Sequence, residues 1–516
     1  MSVQTQTKAP AHDVLATGHL YADLKGRSVR GSFWTITSQG ATFALQTIYT
    51  VVLARLLTPT DFGLVAMVFA IAGLGMAFAD LGLSEATIQR QDINTHQVSV
   101  LFWVNVAIGL VLTLVMVALA PVLVWFYREP RLKNLTFVMA AIFLIGGFRV
   151  QHNAILQRQM RFASMAMRDV VSSALAVIVA ITMAWRGAGY WAIVAFPLTS
   201  YGVGLVLSWV MVRWIPGLPR RDERVGSMIS FGGKVAASYL INYLNYNTDN
   251  ILVGWYWGAG PLGLYSRAYN LLMLPVRQLN APIGRVAVPA FSRLQNDPER
   301  FARYYLRAAN LVIWVAMPIF GFLFVAAHPV ILLVLGHKWV EAGAVFQILS
   351  IAALAQLLLG PATWLLVSKG QSGRLLNIML IIFPILVFGY AVGLPFGING
   401  VALTGSLVLV AILPWVLKYT FRGTLLTLRR LGRAILCPVS LSLTGVVLAE
   451  FSLRAIAPQN VFLQLLVVAL GFAVAYSASM LLRPVREEAM SLRRLLSELR
   501  SPSPAVQSQI QPSPVA

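Results

Sequence analysis

Apolar residues in this chain run in long unbroken stretches. They neither alternate with polar ones nor recur only every third or fourth position. Fourteen spans can be drawn, near residues 32–56, 62–79, 98–122, 135–155, 164–185, 189–212, 227–254, 261–284, 305–327, 342–367, 375–393, 398–417, 433–452 and 461–482. A helix of about 20 apolar residues crosses the ~30 Å hydrocarbon layer of a bilayer. The ten-residue alternating segments of an outer-membrane barrel are absent. The pattern therefore predicts an all-α, polytopic integral membrane protein with about 14 transmembrane helices. Aromatic side chains flank many spans, among them Trp125, Tyr127, Trp185, Tyr190, Trp191, Trp214, Trp255, Tyr256 and Trp257, as amphipathic rings do at a membrane interface. Residues 1–28 are polar and mixed in charge, so no cleavable signal peptide is expected and the first span acts as its own insertion signal. The tail from 483 carries mixed charges and ends in a Ser/Pro-rich stretch, Ser501 to Ala516, which has the composition of a disordered segment.

Composition agrees with that reading. Of 516 residues, 58% are hydrophobic and 11% charged, against about 25% charged in soluble domains. That leaves too little polar surface for a soluble enzyme or a disordered chain, and the single Cys437 rules out an intrachain disulfide framework. The net charge of +22 admits two explanations, nucleic-acid binding or cations held in cytoplasmic loops. With cations near a span end counted with the adjoining loop, 31 of the 40 Lys and Arg fall on the side of the two termini, 7 on the other side, and 2, Lys234 and Arg267, remain inside spans. Both termini are therefore expected to be cytoplasmic, and the charge needs no nucleic acid as a partner.

The chain also repeats weakly. With residues 31–70 set against 231–270, Gly63-Leu64 falls on Gly263-Leu264, and Val51, Val52 and Leu53 fall on Ile251, Leu252 and Val253. Ala120-Pro121-Val122 answers His328-Pro329-Val330 at an offset of 208, and Gly187 with Ala192 answers Gly397 with Ala402 at 210. Two six-helix halves of like orientation are expected, with a substrate site between them. The expected organisation is an N-terminal tail (1–28), an N-lobe (29–215), a C-lobe (216–420), two extra C-terminal helices (421–482) and a cytoplasmic tail (483–516).

Polar positions inside the spans point to the site. In the seventh span Lys234, Ser238, Asn242, Asn245 and Asp249 fall within about an 80° arc at 3.6 residues per turn. Tyr246 lies beside them. A stripe that narrow lines a cavity or a helix contact rather than lipid. The first span repeats the pattern more gently with Thr35, Ser38, Gln39, Thr42 and Gln46. Asp249 and Arg267 lie nine residues either side of residue 258, hence at equal depth on antiparallel neighbours. An ion pair and a ligand role are both open for them. Lys234 is about 22 Å along its helix from Asp249 and reads as a cavity cation. Arg55 and Asp61 read as interfacial. No H-E-x-x-H, G-x-S-x-G or G-x-x-x-x-G-K-[ST] motif occurs, and the six histidines do not cluster. Thus no metal, cofactor or catalytic residue is expected.

The segments Leu53-Ala54-Arg55-Leu56-Leu57-Thr58-Pro59-Thr60-Asp61-Phe62-Gly63 and Asp80-Leu81-Gly82-Leu83-Ser84-Glu85-Ala86 resemble the opening motifs of the Wzx-type polysaccharide flippases, in the WzxC-like branch of the MOP exporter superfamily. Asp249-Asn250-Ile251-Leu252-Val253-Gly254, Leu262 to Asn270 and Arg285 to Gln295 resemble the second-half motifs of the same branch. The likeness covers roughly 29–420. It implies two six-helix lobes that work by alternating access in the bacterial inner membrane. It also implies translocation of undecaprenyl-diphosphate-linked oligosaccharide for lipopolysaccharide or exopolysaccharide biosynthesis, with membrane lipids, a polysaccharide polymerase and export machinery as partners. On that reading Lys234 and Arg267 attract the diphosphate, and Asn242, Asn245 and Tyr246 bond sugar hydroxyls, with Asp249, Gln46 and Thr42 also lining the cavity. The alternatives are a multidrug antiporter or a peptidoglycan-precursor flippase of the same superfamily. A membrane polymerase or glycosyltransferase would need a sizeable outer loop, and the longest here is about 15–18 residues.

Overall fold

The computed structural model describes residues 24–76, 78–90, 93–219 and 243–479, with isolated positions at 15, 240, 481 and 486. Lys234, Ser238 and Asn242 lie outside the described residues. The described elements are α1 (Leu24–Leu56), α2 (Pro59–Met76), α3 (Leu83–Gln89), α4 (Thr95–Tyr127), α5 (Leu132–Arg158), α6 (Phe162–Trp185), α7 (Tyr190–Val212), α8 (described over 243–257), α9 (Ala259–Arg293), α10 (Pro298–Val325), α11 (Ala327–Val334), α12 (Ala342–Ser368), α13 (Ser372–Gly393), α14 (Gly397–Thr420), α15 (Leu428–Ile456) and α16 (Val461–Ser479). Short 3₁₀ turns sit at His337–Trp339 and Leu394–Phe396. No strand occurs among the described residues.

This is a polytopic all-α membrane protein. Among the described residues ten helical segments are long and apolar enough to cross a bilayer, the stretch Ser372–Thr420 counting as one. Helices α1 and α9 fall outside the ten because of their polar positions: Thr, Ser and Gln along α1, and Arg267, Arg277 and Arg285 along α9. The helix ends follow local chemistry. Asn94 and Gln97 close a reciprocal capping box on α4, with Gln97 N donating to Asn94 Oδ1 at 2.8 Å, which satisfies otherwise orphaned backbone donors. Asp297 caps α10 through the backbone N–H of Arg300 at 3.0 Å, with Pro298 in the first turn. Thr427 does the same for α15.

The chain divides into two compact units. The first comprises Met1–Arg267, Val334–Trp339 and Met379–Val401, and the second Ala268–Leu333, Val340–Ile378 and Ala402–Ala516. In the first unit α4 pairs with α5, α6 with α7, α1 lies along α6, and α5 also packs on α7. Its buried polar groups are bonded in series: Thr87 Oγ1 donates to Gln151 Oε1 (2.7 Å), whose Nε2 donates to Asn105 Oδ1 (2.8 Å). Arg158, buried at the end of α5, donates to the carbonyls of Thr87 (2.9 Å) and Arg90 (2.6 Å), tying down the end of α3. In the second unit α10 is the hub, packing on α12, α15 and α16. The two C-terminal helices pair with each other and with α10, and Phe472 of α16 is seated against Gly321 of α10 and Gly445 of α15.

Candidate functional site

The α1–α2 turn explains the first sequence motif. Thr58 precedes α2 and Asp61 lies in its first turn. Asp61 Oδ2 accepts from Thr58 N (2.9 Å) and Thr58 Oγ1 (2.6 Å), while Asp61 N donates back to Thr58 Oγ1 (3.3 Å). This is a capping box, with Pro59 at the first helical position, where its missing N–H is harmless. Two residues beyond Asp61, Gly63 lets α2 approach α9 so closely that a Cβ there would overlap the carbonyl oxygen of Ala259. Reciprocally, a Cβ on Gly263 would overlap the carbonyl oxygen of Pro59. Positions 63 and 263, and 59 and 259, thus exchange roles across the contact, as a two-fold repeat offset by 200 requires. Around the same contact Tyr127 packs on Gly254. On the corresponding side Trp339 Nε1 donates to the carbonyl of Ala54 at 2.8 Å. Lys338 Nζ reaches the carbonyls of Arg55 and Leu56, both at 3.3 Å, and so caps the end of α1 with a cation, where the helix dipole favours one.

Arg267 sits just inside this seam. Its guanidinium carbon lies 4.2 Å from the ring centroid of Phe62, and its charge acts on buried Tyr49 of α1. Phe62 in turn meets Trp339 edge-on at 5.2 Å. The Nε of Arg267 is buried and makes no hydrogen bond. Of the two roles left open for Arg267 and Asp249, the ion pair does not form. Asp249 is 3% exposed, and it accepts from Tyr265 Oη (2.9 Å) and from the backbone N–H of Asn250 (2.8 Å). The reason is rotation about the helix axis. Equal depth from the hairpin is not equal azimuth, and two residues along a helix turn the side chain by about 200°. With Tyr265 facing Asp249 on α8, Arg267 faces away, toward Phe62 and Tyr49.

The other expected residues are placed as follows. Thr42 (half-buried) and Gln46 (exposed) precede Tyr49 by seven and three residues on α1, so the three share one face. Asn245 Nδ2 donates to the carbonyl of Met379 at 3.4 Å, a helix contact. Tyr246 is 51% exposed. Lys234 and Asn242 lie outside the described residues. Among the described residues no three metal-ligating side chains converge.

Arg149 and Arg168, which lie near the ends of the fourth and fifth spans and count with the loop between them, belong inside the bundle. Arg168 on α6 is 4% exposed. It pairs with Asp169 at 2.7 Å and donates to Asn153 Oδ1 on α5, with Ser208 Oγ on α7 at 3.4 Å. Ser208 also bonds Asn153 (3.2 Å). Beside this network, Arg149 of α5 lies 5.0 Å over the ring of Tyr201 on α7. The signal that would have found them is a shared spacing. Arg149 and Asn153, Arg168 and Ser172, and Gly204 and Ser208 are each four apart, one polar face per helix.

Residues 52–344, more than half of the chain, match the family described as Polysaccharide biosynthesis protein. The chain belongs to that family. Within it, the chain is 27% identical to the teichuronic acid biosynthesis protein TuaB of Bacillus subtilis over 66% of its own length and 71% of TuaB. It is 26% identical to the lipopolysaccharide biosynthesis protein WzxC of Escherichia coli over 67% and 71%. Among solved structures, the inward closed conformation of the lipid II flippase MurJ superposes with a TM-score of 0.67 at 13% identity, covering 89% of this chain and 99% of MurJ. That likeness shows the fold. The chain is thus a member of the polysaccharide biosynthesis protein family that shares the fold of MurJ.

Proposed function

We propose that this protein flips undecaprenyl-diphosphate-linked oligosaccharide repeat units across the bacterial inner membrane by alternating access, supplying surface or exopolysaccharide biosynthesis, and that it carries out no covalent chemistry. The observation that carries this reading is Arg267. A charged side chain at a helix centre is unfavourable by about 2.5–3.5 kcal/mol. Stacking on an aromatic ring returns about 0.5–2 kcal/mol, and among the described residues Arg267 has no carboxylate partner to supply the rest. A transient anionic ligand does, and a diphosphate suits the planar fork of a guanidinium. The polar faces of α1 and α8 suit a glycan. The membership of a polysaccharide biosynthesis family supports the same cargo. The excess of cations on the side of the termini supports cytoplasmic ends and cytoplasmic loading.

The test is reconstitution of the full chain into vesicles holding a fluorescent lipid-linked oligosaccharide, with leaflet exposure read by a membrane-impermeant quencher. The wild type is expected to equilibrate the lipid between leaflets, and Arg267→Ala to slow this at least tenfold while inserting normally. Unchanged transport by Arg267→Ala would overturn the role of Arg267. Transport of a cationic drug with no movement of the lipid would overturn the function.

A further inference from the structure

Arg149 is the second intramembrane cation that the protein leaves unanswered. It makes no hydrogen bond and no ion pair among the described residues, and its guanidinium lies over the face of Tyr201. Its neighbour Arg168 is fully engaged: Asp169 Oδ1 takes both Nε (2.9 Å) and Nη2 (2.7 Å), and Asn153 takes Nη1. Asp169 is thus committed to Arg168, and the cluster carries two guanidiniums against one carboxylate. Gly204 of α7 has no side chain where a Cβ would meet Arg149 Nη1 at 2.7 Å and Ser172 Oγ at 3.6 Å. Ser172 is 4% exposed, and its hydroxyl is buried without a hydrogen-bond partner. An unused five-donor fork, an unused hydroxyl and a glycine gap therefore meet at one point on α5, α6 and α7. Snorkelling does not account for it, because the guanidinium is directed across to α7 rather than along α5 to its end.

We propose that Arg149 and Ser172, with Tyr201 as a stacking face, form an oxyanion-binding site separate from Arg267. On the flippase reading, on which this inference rests, the ligand is the diphosphate of the carrier lipid or an acidic group on its glycan. The two cations lie at different depths. Tyr127 at the end of α4 packs on Gly254 near the α8–α9 turn, so α5 and α9 start at the same end. Arg149 is 17 residues into α5 and Arg267 is 8 into α9, or about 25 Å and about 12 Å along helices rising 1.5 Å per residue. One oxyanion can thus be held at two levels of the path, nearer the α5–α6 end at Arg149 and nearer the α1–α2 end at Arg267.

The test measures binding of farnesyl diphosphate, farnesol and glucuronate to the purified full chain by calorimetry. Arg267→Ala is the background, so that the other cation is silent. There the diphosphate is expected to bind still, and adding Arg149→Ala is expected to weaken it at least tenfold. Adding Ser172→Ala should weaken it a few-fold, and adding Arg149→Lys should weaken it less than Arg149→Ala does. Farnesol binding should not move. Loss of glucuronate rather than diphosphate binding would support the site and assign it to an acidic sugar. Equal binding of both anions with and without Arg149→Ala, Arg149→Lys and Ser172→Ala would overturn the proposal. Should Arg149→Ala fail to fold, the Lys and Ser172→Ala variants decide the matter alone. If anion binding behaves as expected but wild-type vesicles move no lipid-linked oligosaccharide, the site stands and the flippase reading falls.

Discussion

Between α5, α6 and α7 the contact is polar: Arg168, Asp169, Asn153 and Ser208 bond one another, and Arg149 stands over Tyr201 beside Gly204. Between α10, α15 and α16 it is apolar. Phe472 fits against Gly321 and Gly445, Trp314 meets Tyr476 at 6.4 Å, and a hydrogen bond of 2.6 Å joins Ser442 to Tyr476. Both bundles use small residues to let helices approach, since lipid gives helices no hydrophobic reason to associate. They differ in what fills the approach. Ring against glycine is dispersion alone, has no charge to satisfy and is complete without a ligand. The α5–α7 cluster satisfies one arginine and strands another. The first bundle should therefore report on stability, and the second on stability at Arg168 and on function at Arg149.

The largest effect is expected where packing alone holds the helices. Phe472→Ala should open a void among α10, α15 and α16 and lower stability by about 3 kcal/mol. A thermal unfolding curve of the detergent-solubilised protein reads this, and transport below the new midpoint should persist. An unchanged midpoint would mean that α16 is held by something other than this ring.

Next comes Arg168→Ala. It removes the centre of the polar network, leaving Asn153 with Ser208, whose hydroxyl also donates to the carbonyl of Gly204 at 2.7 Å. A broken buried pair can be worth about 3–5 kcal/mol, but the Asp169 side chain is 49% exposed and keeps much of its hydration. About 2 kcal/mol is expected, and a loss as large as that for Phe472→Ala would blur the contrast between the two bundles.

Tyr476→Phe should be smaller again. It keeps the ring beside Trp314 and deletes one hydrogen bond to Ser442, which is worth about 1 kcal/mol. The partner Ser442 is itself buried, so its stranded hydroxyl sets the scale. The double variant with Ser442→Ala should recover part of the loss, and further loss would show that the pair was not acting as a unit.

What the sequence made legible follows the same division. Spans could be read because hydrocarbon demands about 20 apolar residues in a row. The alignment of Gly63 with Gly263 at a fixed offset could be read as a repeat, but not the close approach of α2 and α9 that these glycines allow. Azimuth could not be read from depth: Asp249 and Arg267 share a level, yet Tyr265 occupies the facing position. Nor could Arg149 and Arg168 be separated from loop cations by counting charges between spans. They lie within three turns of a helix end, where a loop residue and a buried one differ only in the direction the side chain takes. The short helices α3 and α11 carry no period long enough to announce them.

The smallest change in stability should accompany the largest in function. Arg149→Gln removes a charge with no protein partner, so it forfeits only the contact with Tyr201, about 0.5–1 kcal/mol, and relieves a buried cation. The unfolding midpoint is expected to stay within a few degrees of the wild type, while transport of lipid-linked oligosaccharide in vesicles falls at least tenfold. Gly204→Ala should behave likewise, because the new Cβ crowds the far end of the Arg149 side chain, at 2.7 Å, while Ser172 Oγ at 3.6 Å is an ordinary contact, so the guanidinium moves rather than the backbone. If either variant unfolds the protein as readily as Phe472→Ala, Arg149 is a structural contact and the two bundles differ in composition but not in kind.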